Sequence, residues 1–279
     1  MRQHLIRPRL FWQVLSVETR KLMAYRFDFW ATTVVSFAVN LGIAYALWRA
    51  IFDASGQEEI GGFDFVAMMR YYVTVLIVRR LVRVHERQRG LSADIYEGTL
   101  TRYRLYPTPY LPMKYAEHLG GLLPAVVQVV VLIAAVLLVA PGDVVARALA
   151  ALTPGALVMG LGAIAVANLL SYLLIVPIQG IAFWADNVWA LDTMMRFLAS
   201  FFGGILVPLA LFPDAARAVV QWLPFAYLYD LPVRAVTGQL GWSEWALGML
   251  AGSGWCVALA LIGSWVWHRG DRIYTGVGI

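Results

Sequence analysis

At 279 residues, 61% hydrophobic and only 14% charged, with mean hydropathy +0.69, the chain lies far from the quarter-charged composition of soluble domains and reads as one integral membrane domain. The net charge of +5 is then a topology signal before it is a nucleic-acid signal, and no nucleic-acid partner is expected. The single cysteine, Cys256, lies in an apolar run and excludes both an intrachain disulfide and a cysteine metal site.

Residues 8–28 predict an interfacial helix: Arg9, Gln13, Ser16 and Arg20 share one face, and Phe11, Leu15, Leu22 and Tyr25 lie mostly on the other, which Glu18 interrupts. A cytoplasmic tail helix that only sets orientation fits the same pattern. The 28 residues before the first apolar run are too long for the n-region of a signal peptide. The first span is expected over 29–52. Trp30 and Trp48, about 27 Å apart along a helix, bracket it as aromatic belts would. Asp53, Glu58 and Glu59 follow without a lysine or arginine. The second span, 62–84, carries Arg70, which either snorkels outward or serves a pathway.

The stretch 79–114 is the long hydrophilic run of the chain and holds eight of its 22 Lys/Arg residues. Within it, 90–98 predicts a short helix, with Ser92 as N-cap, Asp94 in the first turn and Gly98 at the C′ position. Pro107, Pro109 and Pro112 then stiffen the chain. This stretch reads as a cytoplasmic lever for another protein to push. The third span is expected over 119–140, ending at the turn Pro141-Gly142-Asp143, the fourth over 155–178, the fifth over 188–212 and the sixth over 245–267. Between the last two, 203–238 is apolar but broken by Pro208, Pro213, Pro224 and Pro232. Its pieces are too short to span, so 213–238 reads as re-entrant helices on the outer side, with an ordinary hydrophobic loop as the alternative. The fold expected is therefore an all-α membrane protein with six transmembrane helices. Residues 1–28 hold six Lys/Arg, the lever eight and the tail two, against Arg147, Arg217 and Arg234 in the opposite loops, which places both termini in the cytoplasm.

Chemistry is sparse. Neither G-x-x-x-x-G-K followed by Ser or Thr nor G-x-G-x-x-G occurs, so the chain lacks the standard loop for holding ATP. His4, His85, His118 and His268 are scattered and suggest no metal site. Ser253 invites a protease reading with His268 as base, but the two lie about 22 Å apart on one helix. Gly248, Gly252, Cys256, Ala260 and Ser264 instead form a small-residue stripe for close helix approach. Asp192 and Arg196, four residues apart, can pair on one face of the fifth span, as structure or as function. Asp186 falls in the short inner loop between Trp184 and Trp189.

Four segments together resemble the membrane permeases of ABC-2-type ABC transporters. They are Glu97-Gly98-Thr99-Leu100 running to Leu105-Tyr106-Pro107; Phe183-Trp184 through Asp186 and Trp189 to Leu191; Pro208 to Pro213 with Leu223-Pro224 and Pro232; and the tail Gly270-Asp271-Arg272-Ile273-Tyr274. Tyr106 departs from the pattern, where relatives commonly carry Arg. The resemblance implies an interfacial connecting helix, a cytoplasmic coupling helix and re-entrant helices before the last span. It implies that Asp94, Ile95, Tyr96, Glu97, Gly98 and Leu100 couple to a separate ATPase subunit that holds ATP and Mg, this chain binding no cofactor itself. It further implies a second permease chain, identical or paralogous, in a bacterial inner membrane, with surrounding lipid as a further partner. The expected activity is export of a hydrophobic or amphipathic substrate such as a drug, natural product or lipid. Pathway or gate candidates are Arg70, Trp184, Asp186, Trp189, Asp192, Arg196, Pro208, Pro213 and Pro224. The alternative is a secondary transporter or channel not driven by ATP, for which Asp192 is the only candidate coupling acid.

Overall fold

The computed structural model describes residues 8–24, 26–82, 90–106, 108–139 and 152–275, with isolated positions between 140 and 151. Arg83, His85, Arg87, Arg89, Pro107, Pro141, Asp143 and Arg147 therefore lie outside the described residues, as does His4. Among the described residues, four stretches are long and apolar enough to cross a membrane: Trp30–Ser55, Tyr110–Val139, Pro154–Phe183 and Trp242–Ile273. The chain is an all-α membrane protein.

Helix α1 (Pro8–Ala24) keeps Arg9, Gln13 and Arg20 exposed and Phe11, Leu15 and Leu22 partly buried, Tyr25 lying outside the described residues, but its inner face rests on protein. It packs against α6 (Tyr110–Gly120), and the reason lies in one proline. Pro124, near the start of α7 (Leu122–Val139), has no N–H for the carbonyl four residues earlier. The orphaned Gly120 carbonyl is taken instead by Thr19 Oγ1 of α1, which donates to it at 2.6 Å. The missing side chain at Gly120 is what admits α1, since a Cβ there would sit 2.7 Å from Glu18 Cβ and 3.1 Å from the Leu15 carbonyl. Glu18, the residue that interrupts the apolar face, is thus buried in this contact and pairs with Lys21 at 3.4 Å.

Helix α2 (Arg26–Ser55) lies against α3 (Phe65–Val82). Trp48 is not the belt residue that its spacing from Trp30 suggested. It is buried, its ring 6.3 Å from that of Tyr72. Helix α3 has 18 residues and carries Arg70, Arg79 and Arg80, too many cations to count as an apolar span on composition. Arg80 is provided for: its guanidinium donates to Oε1 of the fully buried Gln128 on α7 at 2.8 and 2.5 Å. The last carbonyls of α3 are capped from another helix. Asn168 Nδ2 donates to Leu81 O at 3.0 Å and Ser171 Oγ to Val82 O at 3.0 Å.

Those two residues belong to α8 (Pro154–Gly180), the central helix. It starts on an N-cap at Thr153, whose Oγ1 accepts from Ala156 N at 3.1 Å, with Pro154 in the first turn. Its small buried positions, Gly160, Ala163 and Ala167, let neighbours approach closely. Helix α12 (Trp242–Ile273) packs along it through Gly252, Cys256 and Gly263, while Trp267 and Gly270 meet Phe183 just beyond its end. The small-residue stripe is therefore real at Gly252 and Cys256, but its lower half turns from Ala260 and Ser264 to Gly263 and Gly270. A Cβ at Gly263 would lie 2.9 Å from Val176.

The expected fifth span, 188–212, does not stay helical throughout. Helix α9 (Trp189–Phe202) has 14 residues, about 21 Å, and stops at Gly203 and Gly204, the latter at φ +93°. The chain that follows is tied to α3: Tyr71 and Tyr72 hydroxyls donate to the Gly204 and Leu206 carbonyls at 2.6 and 2.7 Å. Two short helices, α10 (Asp214–Val220) and α11 (Asp230–Val236), then fill the proline-broken segment, and α11 packs on α8.

Candidate coupling site

The hydrophilic stretch folds into two short helices, α4 (Leu91–Tyr96) and α5 (Leu100–Tyr103). Along α4, Leu91, Asp94 and Ile95 fall at i, i+3 and i+4 and so share one face. That face is buried. With Leu100 it enters a small core made of Val176, Phe183, Val188 and Trp267 at the ends of α8 and α12. Ile95 is 1% exposed, a burial that stabilises the seat by about 1.5–3 kcal/mol.

Asp94 is the acid on this apolar face, and it has three partners. Tyr110 hydroxyl donates to Oδ2 at 2.5 Å, Thr99 Oγ1 donates to Oδ1 at 2.9 Å, and Lys114 Nζ lies 2.8 Å from Oδ2. Lys114 is further held by Glu117 at 3.0 Å and by Tyr103 hydroxyl at 3.0 Å. Tyr110 in turn stacks on Trp267 of α12, centroids 4.7 Å apart. The short helix is thereby bolted to α6 and α12 by charge-assisted bonds in a dry setting. Gly98, at φ +71°, closes α4 as expected.

The N-cap is a correction. Gly90, not Ser92, occupies that position, and it offers no side chain. The first N–H of α4 is satisfied from α8 instead: Leu91 N donates to Gln179 Oε1 at 2.6 Å. Gln179→Leu would leave that buried donor unpaired, at about 1–3 kcal/mol. The expected result is a looser α4, read as a rise in amide exchange at Leu91 and Ala93 in the full-length protein. Unchanged exchange there would remove Gln179 from this role.

The other expected residues divide. Tyr96 is half-buried; its hydroxyl donates to the Ala185 carbonyl at 3.0 Å, and burial raises its pKa. Glu97 faces outward. Phe183 is buried in the coupling core, while Trp184, Asp186 and Trp189 are exposed around it. The tail joins this same cluster. Arg104 NH2 meets Asp271 Oδ1 at 2.6 Å and its guanidinium lies 5.0 Å from the Tyr274 ring centroid. Three of the four motif segments thus converge on one body. Asp192 and Arg196 pair as expected, at 2.7 Å. Arg70 is exposed on α3, Pro208 is buried beside Leu209, Pro213 opens α10 and is exposed, and Pro224 is buried at a turn. These belong to other elements and are not gathered with the coupling cluster.

Lys114, Tyr110, Tyr103 and Gln179 carry much of this geometry and were not singled out from sequence. The signal available was Asp94 itself: an acid flanked by Leu91 and Ile95 on one face requires a cation nearby.

A family model described as ABC-2 family transporter protein matches residues 38–278. The chain belongs to the ABC-2 transporter family. No curated protein matches the chain, and no solved structure does. In the ABC-2 permease described here, the matched range includes every residue of the coupling cluster, whereas α1 precedes it. As a member of this family the permease is a membrane component of transport and not itself the catalytic part.

Proposed function

We propose that this permease is the membrane subunit of an ATP-driven exporter in the bacterial inner membrane, with α4 and α5 as the seat of a separate ATPase that carries ATP and Mg. In this reading the chain crosses six times, through α2, α3, α6–α7, α8, α9 with the segment after it, and α12. Both termini lie in the cytoplasm, and α10 and α11 are half-inserted from outside. Two permease chains, identical or paralogous, enclose a path for a hydrophobic or amphipathic substrate such as a drug, natural product or lipid. ATPase closure pushes α4 and α5, and the spans tilt.

The observation that carries this is the two-sidedness of the α4–α5 unit. Its inner face is Leu91, Asp94, Ile95 and Leu100, all under 10% exposed, and its outer face is Glu97, Thr101, Arg102, Leu105 and Tyr106. Leu105 is 84% exposed next to cations, as a docking residue is and a core residue is not. Of the coupling residues, Asp94, Ile95 and Leu100 then act by holding the unit rigid, and Glu97 and its outward neighbours by contact. The ion pair between Asp192 and Arg196 also leaves no isolated acid on α9 of the kind that proton- or sodium-driven carriers use.

Co-purification tests it. An ATPase subunit should accompany the wild-type permease, and Arg102→Glu with Leu105→Asp should abolish its retention. Thermal stability of the permease should stay within about 0.5 kcal/mol, because both side chains are exposed. Transport by the isolated chain without any ATPase would end the proposal.

A further inference from the structure

Between α6 and α12 lies a pocket of about 850 Å³, near the upper end of the range for ligand sites. It has two chemically distinct ends. Arg104, His268 and Asp271 stand at one, and Leu169, Leu173 and Ala260 at the other. From Asp271 to Ala260 along α12 is about 16 Å, the depth of one leaflet of a hydrocarbon core about 30 Å thick. The walls α6, α8 and α12 all belong to stretches long and apolar enough to cross a membrane. Tyr103, Tyr110 and Trp267 line the charged end, the residue types that sit at headgroup level.

The charged end is open to exchange. Arg104 and Asp271 pair at 2.6 Å, but their side chains remain 43% and 47% exposed, so solvent screens the pair and an anion can compete for the guanidinium. A guanidinium matches the geometry of a phosphate in bidentate fashion. The His268 ring is held in place by its Nδ1, 2.6 Å from the Ser264 carbonyl, leaving Nε2 as its second polar atom at the same end.

We propose that this pocket binds one glycerophospholipid from the leaflet next to the coupling unit, with its phosphate at Arg104 and His268 and one acyl chain along Leu169, Leu173 and Ala260. The lipid is a structural ligand, distinct from transported cargo. Arg104 follows α5 and His268 is on α12, so the headgroup joins the coupling unit to the last membrane helix. The inference needs only that the chain sits in a bilayer, and it stands whether or not the exporter reading does.

Native mass spectrometry of the full-length permease in detergent tests it, with added dioleoyl phosphatidylglycerol and, in parallel, dioleoylglycerol and oleic acid. Wild type should retain one phosphatidylglycerol per chain, at least tenfold more strongly than the two phosphate-free probes. Ala260→Trp on α12 and Leu173→Trp on α8 should each abolish retention, and Arg104→Gln should weaken it about tenfold. Val257→Trp, on the exposed side of α12, should leave it unchanged and shows that a new tryptophan is tolerated there. Equal retention of phosphate-free probes, or retention in both wall variants equal to that in Val257→Trp, overturns the proposal.

Discussion

Asp94→Ala should detach the coupling unit from the membrane helices without unfolding them. The carboxylate is 9% exposed, and its loss strips Lys114 of one of two anionic partners while leaving the Tyr110 and Thr99 hydroxyls without their acceptor. Breaking a buried pair costs about 3–5 kcal/mol when a charge is stranded. Glu117 remains 3.0 Å from Lys114, so the expected loss is nearer 2–3 kcal/mol, or about 30- to 150-fold in the ratio of seated to unseated α4. The chain offers a clean reporter, because its one native cysteine, Cys256, is buried. In an Ile95→Cys background, Asp94→Ala should raise the maleimide labelling rate at position 95 by tenfold or more. Asp94→Leu with Lys114→Met and Glu117→Gln should recover much of the protection, since no member of the cluster then carries a stranded charge. Equal labelling with and without Asp94 would show that the apolar contacts of Leu91 and Leu100 seat the helix without the acid.

Gly120→Leu should release α1. Even the first carbon of a side chain would meet Glu18 Cβ at 2.7 Å, and the Leu15 carbonyl, 3.1 Å away, is backbone and cannot turn aside. Overpacking of this kind costs about 1–3 kcal/mol, and the bond from Thr19 to the Gly120 carbonyl is lost with it. Arg20 and Lys21 are exposed near the end of α1, so tryptic cleavage of the native permease after these residues reports release of the helix. An increase of about tenfold is expected for Gly120→Leu and a smaller one for Gly120→Ala. A cleavage rate equal to wild type would mean that α1 is held elsewhere.

What could be read from sequence was what depends on local pattern. The apolar face of α1, the long helices α8 and α12, the turn at Gly98 and the Asp192–Arg196 pair all follow from spacing along one helix or from one residue's backbone freedom. What was missed depends on contacts between distant parts of the chain. Gln179 caps a helix that begins 88 positions earlier, so no local rule could prefer it to Ser92. Trp48 has the spacing of a belt residue, yet Tyr72 and Phe52 enclose it. The sequence stays apolar through Gly203 and Gly204, which favours an unbroken fifth span; the left-handed turn at Gly204 and the tyrosine hydroxyls that stabilise it belong to tertiary structure. Lys114 was visible only as a unit of charge, although its position relative to Asp94 decides how the coupling helix sits.

Helix α3 is fastened at two points, its final turn and its middle. At one, Asn168 and Ser171 grip its final carbonyls; at the other, Tyr71 and Tyr72 reach the turn beyond α9. Sliding α3 lengthwise along α8 would break the first fastening, whereas moving α3, α8 and the turn beyond α9 together breaks neither. These three parts therefore constitute a single strut, stiff against lengthwise travel of one member past another and free to tilt as a rod.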